Sequence, residues 1–208
     1  MEINIRKAIK ADLESIAACH LMCFPKSLGS KLGKKFMMDA LRPYLVDENK
    51  CIFIAHENNI CIGYISCKLR DGSLGSASVM IQSGFKQGIR SFISKPWLLF
   101  HPEMMNKLSL VLKNISRKIL NTETEKTIIY DNVPTVGLPG VCVSPAYQGK
   151  GLAKQLIHAA EVEAILMGYE KLRLTVSKQN LPAIRAYEYA HFVIVAENKD
   201  SYKMEKYI

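Results

Sequence analysis

Apolar and polar side chains alternate at the start of the chain, where Ile3 and Ile5 flank Asn4 and precede Arg6, the period expected of a half-buried strand. The period then lengthens. Leu13, Ile16, Ala17, His20, Leu21 and Phe24 recur at helical spacing behind Asp12, a residue suited to a helix N-cap, and Pro25 ends the run. A second helical pattern covers 30–45, with Pro43 disturbing its end. Two β-rich runs, 51–55 and 60–65, are separated by Glu57-Asn58-Asn59, which predicts a hairpin.

Strand chemistry returns at 136–143. A long helix is predicted over 149–167, with Leu152, Leu156, Ala160 and Ala164 stacked four residues apart. Leu172, Leu174 and Val176 then alternate with Arg173 and Thr175 as a strand. Asn180 and Pro182 open another helix, and 192–195 and 202–204 read as closing strands. No internal repeat or low-complexity tract interrupts this order, so one α/β domain spanning 1–208 is expected.

Segment 71–125 departs from the pattern. It opens with Gly72, Ser73, Gly75 and Ser76, continues through Lys95-Pro96-Trp97-Leu98-Leu99-Phe100, and carries a predicted helix over 104–120. Residues 76–120 hold seven lysines and arginines against Glu103 alone, which is +6 of the chain's net +9. Such charge suits a polyanionic partner, including a ligand with several phosphates. The aromatic residues are not interleaved with the basic ones in a nucleic-acid motif, so no nucleic-acid partner is expected. The segment reads as a basic insertion whose 97–100 run is a core-facing anchor more than a membrane contact, and which alternatively forms a lid or a homodimer contact.

Composition is that of an ordinary globular chain, 49% apolar and 23% charged. The six cysteines form no Cys-x-x-Cys pair and read as small hydrophobes, so no metal is expected. The first seven residues lack the apolar core of a signal peptide, and no apolar stretch approaches spanning length; cytoplasmic residence is the expectation.

The richest chemistry lies in Val141-Cys142-Val143-Ser144-Pro145-Ala146-Tyr147-Gln148-Gly149-Lys150-Gly151-Leu152-Ala153. An apolar strand passes through a Pro-containing turn into a helix, with two glycines at the junction. Free amide N–H groups at a helix N-terminus favour an anion, and glycines let the backbone curl around it. A nucleotide P-loop does not fit, because Gly151 follows Lys150. A dinucleotide fingerprint does not fit either, because Lys154 takes its third glycine position.

Gln148-Gly149-Lys150-Gly151-Leu152-Ala153 resembles the coenzyme A signature of the GNAT superfamily of N-acyltransferases, Gln/Arg-x-x-Gly-x-Gly/Ala. Downstream, Asn180, Ala183, Tyr187 and Phe192 match a second pattern of that family. The resemblance is loose over 1–69 and good over 136–208. It implies a GNAT-like α/β (α+β) domain, with a mixed central sheet splayed between the fourth and fifth core strands, flanked by helices, and a largely helical basic insertion. It further implies acetyl-CoA as cosubstrate, bound by Val141, Cys142, Val143, Gln148, Gly149, Lys150, Gly151, Leu152, Ala153, Asn180 and Tyr187.

In the implied chemistry a backbone N–H of Val141 or Val143 stabilises the oxyanion, and Tyr187 serves the leaving sulfur as general acid. Pro139 in the strand before the turn marks either an irregular strand or an edge. The family's strand glutamate has no counterpart in 136–140, so no general base is assigned; His20 is a candidate that also suits packing on an apolar helix face. His191 stands where relatives commonly have glycine, which puts a histidine in a left-handed turn. The implied acceptor is a primary amine on a small molecule, for instance an amino sugar. Peptide acetylation and non-catalytic coenzyme A sensing are the alternatives.

Overall fold

A computed structural model describes residues 3–69 and 133–208. Strand β1 (Asn4–Lys7) leads through a 3-10 turn (Lys10–Asp12) into α1 (Leu13–Cys23). Asp12 does not cap α1. Its carboxylate reaches back to accept the Ile9 N–H at 2.8 Å and both Arg6 guanidinium nitrogens, tying β1 to the helix start.

The single helix expected over 30–45 is broken into α2 (Leu28–Leu32), α3 (Lys34–Leu41) and a 3-10 turn (Arg42–Leu45). Ser27 caps α2 by accepting the Ser30 N–H, so helix begins earlier than its apolar pattern suggested. Gly33, at φ 104°, ends it. The hairpin of β2 (Lys50–Glu57) and β3 (Ile60–Lys68) turns on Asn58 and Asn59, both at positive φ, the twist that a two-residue hairpin loop requires.

After these come β4 (Thr135–Val143), α4 (Leu152–Leu166), β5 (Lys171–Ser177), α5 (Leu181–Tyr189), β6 (Val193–Glu197) and β7 (Ser201–Tyr207). The strands form a seven-stranded sheet in the order β1-β2-β3-β4-β5-β7-β6, antiparallel except for β4 beside β5. Both faces of β2 are buried. Cys51, Phe53 and Ala55 join the core beneath α4, while Ile52 and Ile54 join the core beneath α1–α3, so the strand reads as an unbroken apolar run. The predicted stack of Leu152, Leu156, Ala160 and Ala164 is buried in the first of these cores.

β5 was legible as a half-buried strand, and Thr175 is exposed, yet Lys171 and Arg173 on the same side are inside. Arg173 is 4% exposed and its Nε donates to Glu205 on β7 at 2.6 Å, with Lys171 Nζ 3.1 Å from the same carboxylate. Burial pushes the Glu205 carboxyl upward, but the hydrogen bonds from Arg173 and Lys171 outweigh it and hold the group below its ordinary value.

Gly63 on β3 serves close approach. A Cβ there would lie 2.9 Å from the Cys142 carbonyl oxygen and 3.3 Å from a Leu156 methyl. Gly63→Ala is therefore expected to destabilise the fold by ~1–3 kcal/mol, the usual cost of overpacking. Urea unfolding measures it, and an unchanged midpoint would show that β3 and β4 can move apart freely.

Parallel pairing of β4 with β5 stops after Thr135↔Lys171, Val136↔Leu172 and Gly137↔Arg173. Beyond that point β4 pairs only with β3, through Val143, and β5 only with β7, through Ser177, leaving their facing edges apart. The divergence starts at a bulge: between Gly137 and Gly140, β4 carries one residue more than β3. Pro139 sits in that bulge. It occupies an interior strand, so the irregular-strand reading holds and the edge reading does not; without an N–H, proline cannot continue a ladder there. The expected insertion at 71–125, including the helix over 104–120, lies outside the described residues. Among the described residues, no helix is long and apolar enough to cross a membrane.

Candidate active site

Beyond Val143 the chain makes a 3-10 turn (Pro145–Tyr147) and enters α4 through Gln148–Gly151. Helix was expected from 149, but it begins at Leu152. Gly149 and Gly151 both sit at φ 75°, a left-handed conformation outside any α-helix. A Cβ on either would meet nothing within 4 Å, so it is the backbone conformation, not crowding by the described chain, that calls for glycine. Among the described residues, the amides from Gly149 to Lys154 have no hydrogen-bond acceptor. They form a run of donors at the positive end of a 15-residue helix, an arrangement suited to an anion.

Side chains brace the turn. Gln148 Nε2 donates to the Val143 carbonyl at 3.1 Å. Tyr147 donates to Glu57 at the end of β2 at 2.5 Å, and Lys150 Nζ lies 5.0 Å from the centre of the Tyr147 ring.

The opening between β4 and β5 adjoins this turn. The Ser144 N–H points to β3, bonding the Ile62 carbonyl at 2.8 Å. Because successive residues of a strand alternate sides, Cys142 also faces β3, while the backbone groups of Val141 and Val143 face the gap. Two contacts agree with this parity. The Cys142 carbonyl crowds Gly63 on β3, and the Val143 carbonyl is free to accept from Gln148.

Asn180 is exposed and caps α5, its side chain accepting the Ala183 N–H at 3.3 Å. Two turns along, Tyr187 packs with its ring 5.8 Å from Phe192. Val141, Val143, Tyr147 and Tyr187 all border the core beneath α4. Burial pushes the Tyr187 phenol up to about 12, so it stays protonated through neutral pH. Among the described residues its hydroxyl has no hydrogen-bond partner, which leaves a donor available to a ligand. His191 takes φ 67°, as its place in the second motif predicted.

His20 lies on the other face, where α1 covers the sheet. Its Nδ1 is 2.6 Å from the Tyr64 hydroxyl, and its ring lies tilted with its centre 5.0 Å from that of Phe24. Burial lowers the imidazole, which is therefore neutral at pH 7. Tyr64 is buried, and His20 Nδ1 is its hydroxyl's described partner. The packing role weighed for His20 is the one the geometry supports, and β4 contributes no carboxylate.

Two contributors escaped sequence reasoning. Glu57 reaches the turn through Tyr147, and Arg173 closes the base of the gap. Hairpin position alone hints at the first; nothing in a period of two reveals the second.

Comparison with known proteins agrees with this geometry. The acetyltransferase (GNAT) family model matches residues 125–192, which include β4, the glycine turn, α4, β5 and α5. No curated protein sequence matches the chain. The fold is similar to that of the PaiA N-acetyltransferase from Thermoplasma acidophilum in complex with coenzyme A (TM-score 0.62, 15% identity, all of both chains covered). It is similar to Arabidopsis thaliana NAA60 in complex with acetyl-CoA (TM-score 0.59, 17% identity, 100% and 99% covered). It also resembles the spermidine/spermine N-acetyltransferase SpeG from Vibrio cholerae (TM-score 0.53, 14% identity, 99% and 95% covered). Residues 125–192 thus match the acetyltransferase (GNAT) family model, and the chain as a whole has the fold of solved N-acetyltransferases.

Proposed function

We propose that this chain takes the acetyl group of acetyl-CoA and passes it to the primary amine of a small molecule. The observation that carries the reading is the continuity of two features. A left-handed double-glycine turn with free amides opens directly beside a strand edge whose Val141 and Val143 N–H groups face an unpaired gap. The amides of 149–154 bind the pyrophosphate, and the thioester arm lies along the free edge of β4. A Val141 or Val143 N–H donates to the carbonyl oxygen as the amine adds, since a preorganised donor stabilises the developing oxyanion. The C–S bond then breaks, and Tyr187 hydrogen-bonds the departing sulfur. The amine's extra proton leaves through water, because β4 offers no carboxylate and His20 is engaged with Tyr64 where α1 covers the sheet.

An amino sugar is the acceptor favoured by the basic balance of 76–120, which would suit a phosphate-bearing substrate. We place the reaction in the cytoplasm, where free thiols such as the six here stay reduced. Structurally similar proteins act on different amines: SpeG is a spermidine/spermine enzyme, and AAC(6')-Iy is described with a bisubstrate analogue built on acetylneamine.

Thermal unfolding with and without saturating acetyl-CoA tests the donor site. Selective binding to the folded state is expected to stabilise it by about 2.7 kcal/mol at a free concentration a hundredfold above Kd, and so to raise the midpoint. Thiol release over a panel of amino sugars, polyamines and N-terminal peptides then finds the acceptor. No midpoint shift would remove the donor site. A shift without turnover on any amine would favour a coenzyme A sensor, and turnover on peptides alone would favour protein acetylation.

A further inference from the structure

Cys19 and Cys23 lie one turn apart on α1, and Cys142, 123 residues from Cys19, projects from β4 into the same interface. The Cys19 sulfur is 4.0 Å from that of Cys23 and 3.8 Å from that of Cys142, and all three lie within 4.8 Å of one another. All six cysteines of the chain are free thiols. With metal–sulfur bonds of about 2.3 Å, thiolates on one ion stand ~3.8 Å apart in tetrahedral and ~4.0 Å apart in trigonal geometry. The spacings from Cys19 to Cys23 and to Cys142 are therefore already those of a coordination shell, and the third pair lies within 4.8 Å.

We propose that Cys19, Cys23 and Cys142 bind a thiophilic d10 cation, Zn2+ being the physiological one, through three thiolates. Soft ligands of this kind select zinc-like ions and exclude Mg2+ and Ca2+. Cys19 and Cys142 are 1% and 2% exposed, while Cys23 is half-buried, so the ion enters at Cys23 and a solvent molecule completes its shell there. Binding breaks three S–H bonds, forms three S–metal bonds and releases three protons to solvent, with no change of oxidation state.

His20 is not the fourth ligand through Nδ1, which Tyr64 occupies. The ligands sit on a helix and an interior strand, elements able to hold a fixed geometry. The adjacent Ser144 Oγ–Met22 Sδ contact at 3.3 Å already joins the same two elements. The ion would pin α1 to β4 immediately before the glycine turn, outside the path of acetyl transfer. This inference does not depend on the acetyltransferase reading, and a failure of acetyl-CoA binding would leave it standing.

The test is titration of the full chain with Cd2+ under a phosphine reductant, followed by Zn2+ competition. A thiolate-to-cadmium charge-transfer band saturating at one equivalent, with a raised unfolding midpoint, is expected. Cys23→Ser, at a half-buried position that tolerates a hydroxyl, is expected to weaken binding by roughly a hundredfold or more. Cys142→Ala should do the same. Cys51→Ala is the control, because Cys51 faces Cys67 across the β2–β3 hairpin and that pair is the competing thiol site. It is expected to leave binding intact. No band at one equivalent, binding that survives both Cys23→Ser and Cys142→Ala, or binding abolished by Cys51→Ala would overturn the proposal.

Discussion

Tyr187→Phe is expected to lower turnover by ~10²-fold while leaving acetyl-CoA affinity nearly unchanged, the lower end of what a positioned acid contributes. The hydroxyl packs against no described partner, so its removal leaves no buried group unsatisfied and the Phe192 contact survives. Burial sets the phenol at about 12, against ~8.5 for a thiol, so complete proton transfer to a leaving thiolate is uphill. In the proposed mechanism Tyr187 donates a hydrogen bond to sulfur as charge develops, which predicts a moderate loss and not an extinction. The pH profile follows with a definite sign. The neutral, donating form persists until pH approaches about 12, so an alkaline fall in the wild-type rate between pH 8 and 10 cannot belong to Tyr187 and must be unchanged in shape in Tyr187→Phe. Steady-state thiol release across pH, with calorimetry for binding, separates the two quantities. A variant with wild-type turnover would reduce Tyr187 to a packing residue, and one that loses acetyl-CoA binding to the same extent as turnover would make it a cofactor-site residue instead.

Sequence periodicity and chemistry converge most closely where local rules are strong. The hairpin followed from two asparagines between β-rich runs, and α5 from Asn180 and Pro182, because turns and caps are decided within a few residues. The glycine turn was legible for the same reason, although its helix starts three residues later, since a left-handed glycine cannot be helical. Gly33 was missed as a breaker because a glycine inside a helical pattern is ambiguous until its φ is known. Pro139 announced an irregular strand, but only the register between β3 and β4 showed that the irregularity is a bulge at the point where β4 leaves β5. Long-range pairings were opaque. The burial of Arg173 against Glu205, the contact of His20 with Tyr64, and the meeting of Cys19 with Cys142 each join residues whose separation carries no local signal. The same holds around the expected base: the lack of a carboxylate in β4 was visible at once, whereas the packing of His20 against Tyr64 and Phe24 needed a fold.

Gly151→Val is expected to raise the Kd for acetyl-CoA by ~10²-fold or more, with little loss of global stability. Gly151 holds φ 75° and ψ 3° as the residue immediately before α4. A β-branched residue is an outlier there, and such strain costs on the order of 1–3 kcal/mol if the backbone holds. The turn is exposed and its Cβ direction is open, so the backbone relaxes instead, and the amides of 149–153 no longer converge. Losing two charge-assisted hydrogen bonds at ~1.5–3 kcal/mol each exceeds the ~2.7 kcal/mol that a hundredfold requires. The fold itself survives because α4 is anchored by Leu152, Leu156, Ala160 and Ala164 in the core, all beyond the substituted residue. Gly151→Asn is the informative companion, since asparagine tolerates the left-handed region. If conformation is what matters, Asn retains most of the affinity that Val loses. If Asn and Val fail equally, the ligand fills the open space beside Gly151 and any side chain excludes it. Wild-type affinity in Gly151→Val, measured by calorimetry on protein that unfolds at the normal midpoint, would mean that the pyrophosphate is held elsewhere. The resemblance of 148–153 to the coenzyme A signature would then be a coincidence of a glycine-started helix.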